Sequence, residues 1–153
     1  MMRTIEAYVT PSQGLRDWAD PVFRVLTSLI FIIGGLGHFA EHQMMLDRMV
    51  ESPWWNMISM AGDPSWLLWL SGVVFVIFGV MLALGWMTRL SALLIFLTLV
   101  PITVTVHLAP GHVGPLFKNI AILGSLFLIY CRGPGAYALD NRKSSSGPEH
   151  DRK

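Results

Sequence analysis

Four histidines, His38, His42, His107 and His112, are the residues of this chain best equipped for chemistry near neutral pH, where an imidazole can ligate a metal or exchange a proton. His38 and His42 stand four residues apart and share one face of a helix. If imidazoles from two helices converge, they can bind a metal or haem, which makes His38, His42, His107 and His112 the candidate metal set. The run His38-Phe39-Ala40-Glu41-His42 also fits the short H-x-x-E-H zinc-protease pattern, but the soluble catalytic cleft of such an enzyme is missing. Met44, Met45 and Met49 add soft thioethers beside His38 and His42, a combination that suits Cu(I). A quinone needs an apolar slot with one or two polar groups, and His38, His107, Lys118 and Asn119 are the candidates for it. Each residue also has a structural reading. Interfacial histidines bond to neighbours, lipid headgroups or water, and methionines fill irregular apolar surface.

These residues are held by an unusually apolar chain. Of its 153 residues 53% are hydrophobic and 14% charged, and the apolar residues fall in long blocks separated by short polar clusters. The first block opens at Asp20-Pro21, an N-cap followed by a residue suited to the first helical turn, and predicts a span from about Pro21 to Ala40. A second Asp-Pro pair predicts a span over Ser65 to Leu84. A third runs over Leu90 to Leu108 and a shorter fourth over Pro115 to Cys131, stopped by Arg132-Gly133-Pro134-Gly135. The expected fold is therefore an all-α, integral membrane four-helix bundle. Residues 1–20 are expected to form a cytoplasmic N-terminal segment, 21–140 the membrane domain and 141–153 a disordered cytoplasmic tail.

Lys and Arg set the orientation. Nine of the eleven, Arg3, Arg16, Arg24, Arg89, Arg132, Arg142, Lys143, Arg152 and Lys153, fall on one side of the four-span layout. Arg48 and Lys118 fall on the other, so both termini are expected in the cytoplasm of a bacterial inner membrane. At 1.5 Å per helical residue, His38 lies about 26 Å from the inner start of its span and His107 about 27 Å from Arg89, both near the outer face. The connection 41–63 carries Met45, Leu46 and Met49 at helical spacing together with Trp54 and Trp55, and is expected to lie as a short amphipathic segment along the outer surface. Gly34, Gly35, Gly37, Gly72 and Gly79 permit close helix approach. Pro101 should kink the third span, with Thr98, Thr103 and Thr105 placed to bond freed backbone groups.

Composition also excludes functions. A net charge of +1 does not make a nucleic-acid surface, and the lone Cys131 allows neither an internal disulfide nor a C-x-x-C pair. A transporter would need a continuous polar route, and few charges lie within the spans.

Several motifs occur together: Arg24, Gly34-Gly35-Leu36-Gly37-His38, Gly85-Trp86-Met87-Thr88-Arg89, Lys118-Asn119 and Gly133-Pro134-Gly135-Ala136-Tyr137-Ala138-Leu139-Asp140. In this arrangement, over about residues 20 to 140, the chain resembles the DoxX family of small bacterial membrane proteins. The family commonly has Ser where this chain has Ala138. The resemblance implies a four-helix inner-membrane protein in which Arg24, Arg89, Gly133, Pro134, Gly135 and Asp140 form the structural family motif. It carries no catalytic residues that transfer. Some relatives are linked to quinone-coupled sulfur oxidation or to oxidative-stress assemblies, which implies an accessory subunit of a redox-associated or quinone-linked assembly, with membrane lipids and a redox protein as partners. Metal (copper) or haem binding, a purely structural or lipid-binding role, and self-association all stay open, and no catalytic constellation marks the chain as an enzyme on its own.

Overall fold

A computed structural model of the chain describes residues 9–108 and 113–144. Helix α1 (Gln13–Ala40) starts eight residues before the expected Asp20-Pro21 boundary. Ser12 caps it, its hydroxyl accepting from the Leu15 amide at 3.4 Å, and Pro21 sits inside the helix. Asp20 does not cap this helix; its carboxylate instead pairs with Arg132 at 2.9 Å. The connection 41–63 folds as two short helices, α2 (His42–Val50) and α3 (Trp55–Ala61).

Helix α4 (Pro64–Leu84) begins as the Asp-Pro signal predicts. The Asp63 carboxylate accepts from the Ser65 amide at 2.8 Å and from that of Trp66 at 3.4 Å, and Pro64 needs no amide partner in the first turn. Gly85 ends the helix in the left-handed conformation at φ 68°. Helix α5 (Thr88–Ile102) continues into a π-helical turn over Thr103–His107. Helix α6 (Val113–Arg132) and the short α7 (Leu139–Ser144) complete the fold. The tail expected to be disordered from 141 thus begins as helix, and residues 145–153 lie outside the described residues.

Pro101 has no amide to offer the Leu97 carbonyl, and the third span responds by widening into the π turn just beyond it. The three threonine hydroxyls do not bond to Leu97. They donate to the carbonyls of Leu94, Leu99 and Pro101 at 2.7–2.8 Å.

No strand occurs among the described residues, and four helices are long and apolar enough to cross a membrane. Helix α1 packs along α4, α4 along α5, and α5 along α6, with little contact between α1 and α6. Helices α1 and α4 approach each other closely at their glycines. A Cβ added to Gly35 would stand 2.9 Å from the Gly72 carbonyl oxygen, too near for any side chain larger than hydrogen. Phe31, Phe75, Leu82, Ile95, Leu99, Ile122 and Leu126 form the common core. Large apolar side chains such as Leu26, Ile33, Leu70, Leu97 and Phe127 point outward, the inverse of a soluble surface and the arrangement hydrocarbon solvates. The molecule is a multi-pass, all-α membrane protein.

Candidate functional site

At the end of the bundle that carries the histidines, the four long helices do not close on each other. They leave a cavity of about 890 Å³. Its walls are mostly apolar: Leu67, Leu68 and Val74 from α4, Pro101 and Ile102 from α5, and Pro115 from α6. Helices α2 and α3 cover it with Met45, Met49, Met57 and Ile58. The polar groups on its wall are few: His38, Arg48, Ser71, Thr98, Thr105 and His107.

Gly72 is what admits His38 to this wall. A Cβ there would lie 3.0 Å from the His38 Cβ and 2.9 Å from the Phe39 ring, so a larger residue would push α1 away. The His38 ring is then fixed from one side. Its Nδ1 lies 2.9 Å from Ser71 Oγ and 3.3 Å from the Leu68 carbonyl oxygen, and Ser71 Oγ donates to the same carbonyl at 2.8 Å. Phe75 packs against the ring at 5.6 Å between centroids.

His107 reaches the cavity from the end of the π turn. That turn is tied down twice. Asn119 on α6, itself buried, donates through Nδ2 to Thr103 Oγ1 at 3.0 Å. From the other side, Ser52 in the α2–α3 connection donates to the Thr105 carbonyl, and Trp54 Nε1 donates to the Leu108 carbonyl at 3.4 Å. Carbonyls near the end of a helix lack intrahelical partners, so they are natural anchors for the α2–α3 segment.

Sequence reasoning named four ligand candidates, and the fold separates them. His38 and His107 line the cavity; Asn119 serves the helix α6–π turn contact; Lys118 is exposed and is not on the cavity wall. Of the metal candidates, His42 turns away from the cavity. Its Nδ1 lies 3.3 Å from the His38 carbonyl oxygen, which can only accept, and its Nε2 lies 2.8 Å from Ser65 Oγ. Both nitrogens of His42 are thereby engaged, and its ring packs on Trp69. His112 lies outside the described residues. No group of three or more His, Cys, Asp or Glu side chains placed to hold a metal ion occurs among the described residues. Met45 and Met49 face the cavity, whereas Met44 is exposed, with Arg48 Nη2 3.8 Å from its sulfur.

Three residues of the site were not singled out for it by sequence. Arg48 was read only as a topology charge. Ser71 carried a usable signal, a hydroxyl in an otherwise apolar span directly before a glycine. Ser52 carried none, because its partner is 53 residues away.

The arginine end of the bundle is built as a lock. The Asp140 carboxylate accepts from the Met87 amide at 2.8 Å, the Thr88 amide at 3.0 Å and the Thr88 hydroxyl at 2.9 Å, capping α5 from the far end of the chain. Its own amide donates to the Gly85 carbonyl at 3.0 Å. The buried Arg24 donates to the Pro134 carbonyl, and Arg89 lies against Gly133, where a Cβ would come within 3.1 Å of its guanidinium. Ala138 packs on Gly85, and Tyr137 stacks on Trp18 at 4.9 Å. The motif residues Arg24, Arg89, Gly133, Pro134, Gly135 and Asp140 thus gather at one end of the bundle, opposite the cavity.

Among known proteins, no curated protein and no solved structure matches the chain. The DoxX family model matches residues 19–108, from within α1 to just past the π turn. The matched stretch includes Arg24, the glycines at which α1 meets α4, and both cavity histidines. It is more than half of the 153 residues, and the chain belongs to the DoxX family.

Proposed function

We propose that the protein is a quinone-binding accessory subunit of a redox-associated assembly in the bacterial cytoplasmic membrane, with both termini on the cytoplasmic side. The observation that carries this reading is the cavity of about 890 Å³ between the helix ends, apolar over most of its wall and bearing His38 and His107. A volume of this size falls within the range of small-molecule sites, which are mostly apolar with a few placed polar groups. An isoprenoid quinone has that same division, a polar ring and an apolar tail. Depth supports the reading as well, since a headgroup near one end of the spans leaves the tail free to lie along the hydrocarbon.

The role assigned is binding; electron transfer is left to a redox protein in the same membrane. The exposed apolar face of α6, with Phe117, Ile120, Phe127 and Leu128, offers a surface for lipid or for that partner.

The test is to purify the protein in mild detergent and quantify extracted quinone per chain, for the native protein, His38→Ala and His42→Ala. The native protein and His42→Ala are expected to retain quinone while His38→Ala loses it. Absence of quinone from the native protein, together with no binding of added decylubiquinone, would remove the proposal.

A further inference from the structure

We infer that Ser71 sets the polarity of the His38 ring so that the cavity selects a ligand whose head presents a hydroxyl, the reduced hydroquinone over the oxidised quinone. This rests on the quinone reading above and concerns a residue that no motif of the chain marked.

The argument is a count of protons. The Leu68 carbonyl oxygen has none to give, and Ser71 has one, which it donates to that carbonyl at 2.8 Å. His38 Nδ1 stands 2.9 Å from Ser71 Oγ and 3.3 Å from the same Leu68 oxygen. Were Nδ1 the bare nitrogen of the ring, it would need the Ser71 proton, and its lone pair would then face the Leu68 oxygen with no hydrogen between them. With the proton on Nδ1, every contact has a donor: Nδ1–H to Ser71 Oγ, and Ser71 O–H to Leu68.

That assignment leaves Nε2 as the bare nitrogen, an acceptor on the ring of a residue that lines the cavity. A quinone carbonyl placed against it would set lone pair against lone pair. A hydroquinone hydroxyl would donate to it. Arg48, the one arginine or lysine on the wall among the described residues, carries donors for the oxygens elsewhere on such a head. His42 repeats the logic without a ligand: its Nδ1 faces an acceptor-only carbonyl, and its Nε2 accepts from Ser65. In both histidines an acceptor-only carbonyl faces Nδ1; beside His38 that carbonyl also takes the Ser71 proton, so Ser71 Oγ, the nearer group at 2.9 Å, is left to accept from the ring.

Two measurements test this on the full-length protein in detergent. In ¹⁵N NMR with labelled histidine, His38 is assigned by difference with His38→Gln, and its Nε2 is expected to resonate as an unprotonated ring nitrogen. In equilibrium binding, decylubiquinol is expected to bind about fivefold more tightly than decylubiquinone, the factor of one hydrogen bond of about 1 kcal/mol. Ser71→Ala should bring the two affinities close together, and Ser71→Thr, which keeps the hydroxyl, should restore the ratio. Equal affinities in the native protein, or a protonated Nε2, overturn the inference while leaving quinone binding intact. Failure of both probes to bind overturns the underlying reading and this inference with it.

Discussion

Replacing Asp140 should destabilise the protein from a position beyond the last membrane-spanning helix. Its carboxylate accepts three hydrogen bonds from Met87 and Thr88, at 2.8, 3.0 and 2.9 Å, and no side chain of the local sequence caps α5. A bond to a charged group contributes about 1.5–3 kcal/mol when well shielded, but the bond to Met87 is exposed and must be discounted. Loss of a helix N-cap costs about 0.5–2 kcal/mol, and a negative charge at a helix N-terminus adds about 0.3–1 kcal/mol. Together these place Asp140→Ala at about 2–4 kcal/mol and Asp140→Asn, which keeps one accepting oxygen, at about half that. The assay is reversible unfolding in mixed micelles, followed by tryptophan fluorescence during a dodecyl sulfate titration. Thr88→Val closes a double-mutant cycle, and since Thr88 and Asp140 share a bond, the coupling should be about 1 kcal/mol. A loss below about 0.5 kcal/mol for Asp140→Ala, or additive effects of the two changes, would refute the capping argument.

Other consequences can be checked separately. Gly85→Ala places a Cβ 2.6 Å from that of Ala138 on a backbone at φ 68°, and the same unfolding assay should show a loss of about 2–4 kcal/mol, with a native-like stability sinking the close-packing account. His42→Ala removes the bond to Ser65 and should lower stability by about 1 kcal/mol without weakening decylubiquinone binding, whereas His38→Ala should weaken binding. In Ser52→Ala, hydrogen exchange over residues 42–61 should accelerate severalfold, because α2 and α3 lose their anchor on the Thr105 carbonyl; unchanged exchange would place the anchor elsewhere. Alkaline phosphatase fused after residue 144 should be inactive and a fluorescent-protein fusion there should be bright, and the reverse pattern would invert the orientation drawn from Lys and Arg.

The spans were legible in the sequence because the signal for them is local and one-dimensional. A run of about 20 apolar residues needs no partner to satisfy its backbone in hydrocarbon, and Asp63-Pro64 and Gly85 mark their helix ends through bonds within a few residues. Where a local signal was ambiguous it misled. Asp20-Pro21 has the same form as Asp63-Pro64, yet the helix runs through it, because Ser12 offers an earlier cap and Asp20 finds Arg132 across 112 positions of sequence. The glycines at 35 and 72 were readable as close-approach residues, but not as each other's partners.

The candidate site was only half legible for the same reason. Depth along a helix follows from counting, so His38 and His107 could be set at a similar level. Where a helix ends does not follow from counting: α1 stops at Ala40, so His42 opens α2 instead of sharing a helix face with His38, and it bonds to Ser65 while His38 bonds to Ser71. What the amino-acid sequence determined by itself was the membrane class, the number of spans and the family, properties written in composition and short motifs. What only the tertiary structure decided was which polar groups meet: the cavity beside the π turn, the contacts of His38 with Ser71 and Leu68, and the capping of α5 by Asp140. Those contacts join residues from 30 to 53 positions apart, and a hydrogen bond depends on distance in space, to which separation along the chain is no guide.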